Sequence, residues 1–179
     1  MGTQIILTAA VAALVIGLAA VSIGKTAGNT GGDDVNIAAE NKKKVDFDTV
    51  TLSISGSTAF VEEYELKAAD GGAEISLYIG RWRYDDTIAR EDCLERRAAG
   101  GKELYGKLAV LLAECDIPEW DGFSGSDPMV LDGYTFNFSA TLADGNVYAS
   151  GSNAYPKNYA KFRDTVLELL EEYQTFPEK

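Results

Sequence analysis

A chain of 179 residues, 46% hydrophobic and 25% charged, has the composition of a globular protein and length for one domain with accessories. A core of that size needs neither a metal nor a disulfide to hold it. The net charge of −12, without any Lys/Arg-rich face, weighs against nucleic acid and anionic lipid surfaces as partners of the folded part, and the lack of histidine removes the commonest metal ligand and general base.

From Ile5 to Ile23 the chain carries no charge and is rich in Ala, Leu, Val and Ile. As a helix rising about 1.5 Å per residue, this run matches the roughly 30 Å of a bilayer core. Three readings stand: a retained membrane anchor, a cleaved signal segment, or a buried core helix. The anchor is favoured, because no basic residue precedes Ile5 and the run is long for a signal core. Lys25 and Lys42 to Lys44 pull weakly towards a cytoplasmic domain. The usual use of such a segment ahead of a spacer and a domain favours an extracytoplasmic one. Gly24-Lys25-Thr26 is not a phosphate loop, since Ala19 stands where a glycine is required. Residues 1–24 are therefore assigned to the anchor or signal, and 25–45, rich in Gly, Asp, Asn and Lys, to a flexible linker.

An acidic domain is expected over 46–179. Val50, Leu52 and Ile54 alternate with Thr49, Thr51, Ser53 and Ser55, the pattern of a half-buried strand. Phe60, Tyr64 and Leu66 mark a second strand, turned at Asp70-Gly71-Gly72 into a third. The third places Ile75, Leu77 and Ile79 inward and Glu74, Ser76, Tyr78, Trp82 and Tyr84 outward. Thr87 to Gly101 fits neither period well; its density of Arg and Glu suits an edge strand better than a short helix. Leu104, Tyr105, Leu108, Leu111, Leu112 and Cys115 then recur at helical spacing, with Pro118 as the expected stop.

Ile117 to Tyr134 shows no period and is long for a connection, which points to a folded or functional loop. Tyr134, Phe136, Phe138, Ala140 and Leu142 form the next strand, and Asp144-Gly145 turns it into Val147 to Ser150. Pro156 opens a last helix presenting Tyr159, Phe162, Val166, Leu169, Leu170 and Tyr173. The expected fold is α+β: an antiparallel sheet of five to six strands, two helices packed on one face, and the other face wet.

Candidate site residues cluster in two segments. In the long loop, Trp120 and Phe123 either close the loop against the core or form an exposed binding patch. Asp121, Asp127 and Asp132 read as turn formers before they read as calcium ligands, because their spacing does not match the twelve-residue calcium loop. In Ser150 to Pro156, which includes Tyr155, Asn153 either caps the last helix or helps present N–H groups to an anion. Ser124 and Ser126 have no histidine to activate them, and no cofactor motif occurs. Cys93 and Cys115 are a possible disulfide, although Cys115 also suits a buried thiol.

At Trp-Asp-Gly-Phe-Ser-Gly-Ser-Asp-Pro with Leu-Asp-Gly, and at Ser-Gly-Ser-Asn-Ala-Tyr-Pro, the chain resembles uncharacterised bacterial proteins with an N-terminal apolar segment. The resemblance implies a bacterial envelope protein and no particular site residues. Three functions are consistent with the sequence. The leading one is an envelope-anchored module binding a protein, peptide or glycan through its wet face or its loop aromatics. The others are a structural or assembly component, and a hydrolase using paired carboxylates.

Overall fold

The computed structural model describes residues 43–130 and 132–175. The expected anchor or signal over 1–24, and linker residues 25–42, lie outside them. Among the described residues no helix is long and apolar enough to cross a membrane.

Seven strands form one sheet: β1 (Phe47–Ser55), β2 (Val61–Ala69), β3 (Gly72–Gly80), β4 (Leu94–Gly101), β5 (Ser124–Ser126), β6 (Thr135–Leu142) and β7 (Gly145–Ser152). Two helices accompany them, α1 (Lys102–Glu114) and α2 (Tyr159–Glu172). The strand order is β4-β3-β2-β1-β6-β7-β5. Every neighbouring pair is antiparallel except β5 and β7. The α+β class holds, with more strands than expected. The added strand is β5, whose Ser-Gly-Ser carries no apolar alternation and pairs only because the loop returns alongside β7.

The alternation seen in the sequence sorts the two faces. Val50, Leu52, Tyr64, Leu66, Ile75, Leu77, Phe136 and Phe138 are buried in one core with Leu104, Leu108, Leu112, Phe162, Val166 and Leu170 of the helices. Each such side chain contributes about 1.5–3 kcal/mol on burial. Gly71 takes φ 81 in the β2–β3 turn, where a side chain would be strained. Helix α1 stops before Pro118: Cys115 caps it and Asp116 adopts the left-handed region at φ 54. Pro118 instead starts a 3-10 turn over Ile117–Trp120. Helix α2 starts after Pro156, at Tyr159, with Asn158 preceding it at φ 64.

At the outer edge, β4 lies where the charged pattern placed an edge strand. Its free side is partly covered by the chain itself, through a bridge from Ala98 to Gln174 and a bond from Thr175 N to Arg97 O of 3.2 Å.

The second sheet face is only partly wet, which corrects the sequence reading. Strand β3 ends at Gly80, so Trp82 and Tyr84 do not continue its alternation. Instead the segment 81–93 folds over the β1–β2–β3 part of the face and buries Ser53, Glu63, Ser76 and Tyr78. The Arg90 guanidinium lies 3.7 Å from the centroid of the Tyr78 ring, and Trp82 meets that ring edge-on at 6.4 Å. Pairing registers place Ser53 opposite Glu63 and Glu63 opposite Tyr78.

Candidate binding face of the sheet

Beyond the strap 81–93, the strands β1, β6 and β7 leave a stretch of the same face open. Alternation puts small polar groups there, and register brings them together: Thr51 opposite Ser139, Ser53 opposite Asn137, Ser139 opposite Tyr148, and Asn137 opposite Ser150. With Arg83 on one rim and Gly122 and Phe123 on the other, they line a cavity of about 370 Å³. Tyr148 is 61% exposed at its margin.

The rim formed by Gly122 to Ser126 is held by backbone bonds to β7. Gly122 N donates to Tyr148 O and Ser150 N to Phe123 O, both at 2.9 Å. Asp121 reinforces the join, its Oδ1 accepting from Tyr148 N at 3.0 Å.

The opposite rim depends on one buried carboxylate. Glu63, 4% exposed, accepts from Ser53 Oγ at 2.5 Å, Arg83 Nη2 at 2.6 Å and Arg90 Nε at 2.7 Å. Arg83 Nη2 also donates to Ser53 Oγ at 2.8 Å. Burial pushes the Glu63 carboxyl up, but the hydrogen bonds from Ser53, Arg90 and Arg83 and the charge of Arg90 outweigh it and hold the group below the usual carboxylate range. Glu63 is thus an ionised anchor that fixes Arg83 beside the cavity. It is poorly suited to transfer protons.

Of the sequence-derived candidates, Phe123 lies on this rim and Asp121 holds it to β7, and the others fall elsewhere. Trp120 is 2% exposed and belongs to the core: it meets Phe138 at 4.9 Å and Phe162 at 5.7 Å, and Nε1 donates to Lys157 O at 3.0 Å. Phe123 is partly buried against Phe136 at 6.2 Å. The two aromatics therefore close the loop and do not form an exposed patch. Asp127 Oδ1 accepts from Met129 N at 3.0 Å in a local turn, and Asp132 lies exposed at a bend. Among the described residues no group of three or more carboxylate or thiol ligands is placed to hold a metal ion.

Asn153 does not cap α2, whose N-cap is Asn158. It sits at φ 55 and clamps Tyr134: its Oδ1 accepts from Tyr134 N, and its own N–H donates to Tyr134 O, both at 2.9 Å. Tyr155 stacks on Phe136 at 5.6 Å and packs against Tyr159 at 4.6 Å.

Cys93 and Cys115 are both free thiols. Cys115 is in the helix-side core, whereas the Cys93 sulfur lies against Gly80 on the other side of the sheet. Burial pushes the Cys115 thiol up to about 11. In the native chain, Ellman's reagent is expected to titrate Cys93 alone, with Cys115 appearing only on unfolding. No reactive thiol in unfolded, unreduced protein would contradict this.

A second cleft, of about 490 Å³, includes Asp46, Asp116, Glu119, Asp121 and Asp144 in its lining. Three of these acids are already engaged. Asp46 accepts from Tyr105 Oη, Asp116 pairs with Lys157 at 3.2 Å, and Asp121 holds Tyr148.

Sequence reasoning missed Glu63 and Arg83. The available signal was Arg81, Arg83 and Arg90 crowded between two strands of an acidic chain. No family model, no curated protein and no solved structure matches the chain.

Proposed function

We propose that the chain is an envelope-anchored, extracytoplasmic binding module that takes a peptide, glycan or protein segment on the open face of its sheet. The observation that carries this reading is the cavity of about 370 Å³ with a neutral hydroxyl and amide floor, an exposed Tyr148 and a fixed Arg83. Ligand sites combine such a concave surface with a few positioned polar groups and an aromatic. Anchoring through residues 5–23 and an envelope location rest on the apolar run and on the resemblance of the loop motifs to envelope proteins.

The cavity favours a binding role over a purely structural one. A carboxylate hydrolase is less well supported, because Glu63 is bound on both oxygens and pairs with two guanidiniums. The test is a photo-reactive benzoylphenylalanine at position 148, compared with the same residue in place of Glu168, exposed on α2. Irradiated in cells of origin, the first is expected to yield a defined adduct and the second none. No adduct from position 148, or the same adducts from both, would overturn the proposal.

A further inference from the structure

On the helix side, where β1 ends and α2 begins, Ile54, Glu62, Tyr134, Tyr155, Tyr159, Ala160 and Arg163 enclose a cleft of about 430 Å³. It shares no residue with the open-face cavity. Tyr134 is 61% exposed and Tyr155 41%, yet neither is loosely placed. Tyr134 is clamped through its backbone by Asn153, and its ring lies across Gly56, where a Cβ would approach Tyr134 Cε1 to 3.0 Å. The clamp needs Gly133, because a Cβ there would fall 1.7 Å from Asn153 Oδ1. Tyr155 is fixed by its packing on Phe136 and Tyr159.

The polar groups are held as well. Glu62 accepts a hydrogen bond from the Tyr64 hydroxyl. Arg163 is oriented by Asp164, which binds its Nε at 3.2 Å and Nη2 at 3.0 Å. The cleft thus combines preset aromatic rings, a carboxylate that only accepts hydrogen bonds and a guanidinium that only donates them. A simple cation would meet Arg163, and a simple anion would meet Glu62. A pyranose ring suits the whole set: its C–H face packs on tyrosine, and its hydroxyls can both donate to a carboxylate and accept from a guanidinium. Fixing these groups before binding reduces the ordering cost of association.

From this geometry we propose that the Tyr134–Tyr155–Tyr159 cleft is a second site, which binds a sugar ring of a glycan between the tyrosines, Glu62 and Arg163. The test is saturation-transfer NMR on the full chain in a sugar-free zwitterionic detergent, with maltotriose, cellotriose and chitotriose as probes and a Gly-Lys-Gly peptide as competitor. At least one trisaccharide is expected to bind, with affinity falling about tenfold in Tyr155→Ala from loss of an aromatic contact. Glu62→Gln, which keeps the shape of the side chain, is expected to weaken binding too. The loss in Tyr155→Ala is expected to be the same in a Tyr148→Ala background, which removes the open-face aromatic, so failure here is separable from failure of the open-face reading. Binding of none of the three sugars overturns the proposal. So does binding that is insensitive to both cleft variants, binding lost only in Tyr148→Ala, or binding of the lysine peptide alone.

Discussion

Trp120→Ala is expected to cost about 3–5 kcal/mol of folding stability, the range for removing a large buried aromatic. The indole is 2% exposed and packs among Phe138, Tyr159 and Phe162. It ties the 3-10 turn after α1 to the approach of α2, because Nε1 donates to the Lys157 carbonyl at 3.0 Å. A domain typically holds only about 5–15 kcal/mol in total, so the variant should unfold at a much lower urea concentration. Trp120→Phe should keep most of the ring packing and lose the bond to Lys157 O, a deficit of about 1–3 kcal/mol. Phe123→Ala should cost less than Trp120→Ala, since Phe123 is only partly buried. A Trp120→Ala variant with the wild-type urea midpoint would contradict the view that this segment is a folded closure.

The second large effect concerns Glu63. Arg83→Ala with Arg90→Ala leaves a carboxylate buried between strands without its two cations, and breaking a buried pair from one side costs about 3–5 kcal/mol. Glu63→Gln should cost less, because Arg83 and Arg90 retain access to water and can rehydrate. The pH dependence separates the two cases. In the wild type the folded-state carboxyl is held below its ordinary value. Its contribution is then complete above the unfolded-state value of 4.5 and is lost as pH falls through the lower folded value. In the double arginine variant only the Ser53 hydrogen bond still opposes burial, so the folded value rises above the wild-type one and the deficit relative to wild type narrows on acidification. Urea midpoints at pH 7 and pH 4 measure this. A deficit that stays constant or widens at pH 4 would contradict the assigned role of Glu63.

Five of the seven strands, both helices and the helix-covered face were legible because each follows a clear period with most of its apolar positions buried, and β4 was legible from its charged edge pattern, although Phe60, Ile79 and Tyr134, read with the inward positions, are exposed. Strand β5 was not, since Ser124-Gly125-Ser126 has no pattern of its own and is made a strand by its neighbour β7. The early end of α1 depends on Asp116 adopting a left-handed conformation, which asparagine and aspartate tolerate without announcing it. Asn153 was misread for the same reason: it lies near a helix start but uses its left-handed backbone and amide to clamp Tyr134.

The open-face site was half legible. The Thr/Ser/Asn floor and Tyr148 follow from alternation in β1, β6 and β7. Its arginine rim does not, because Glu63 meets Arg83 and Arg90 across separations of 20 and 27 residues. Between β3 and β4, Trp82 and Tyr84 mimic a continued strand, and the crowding of Arg81, Arg83 and Arg90 does not by itself say that the segment folds back over the sheet and buries Tyr78.

The proposed role of the open face is tested most directly by hydroxyl-radical footprinting of the full chain in cells of origin against the same chain purified. Tyr148 reports on the cavity margin, and Met129, 88% exposed on the 127–130 turn, serves as the internal reference. A ligand on the open face predicts a several-fold drop in Tyr148 oxidation in cells with Met129 unchanged. Equal oxidation of Tyr148 in both settings would contradict it.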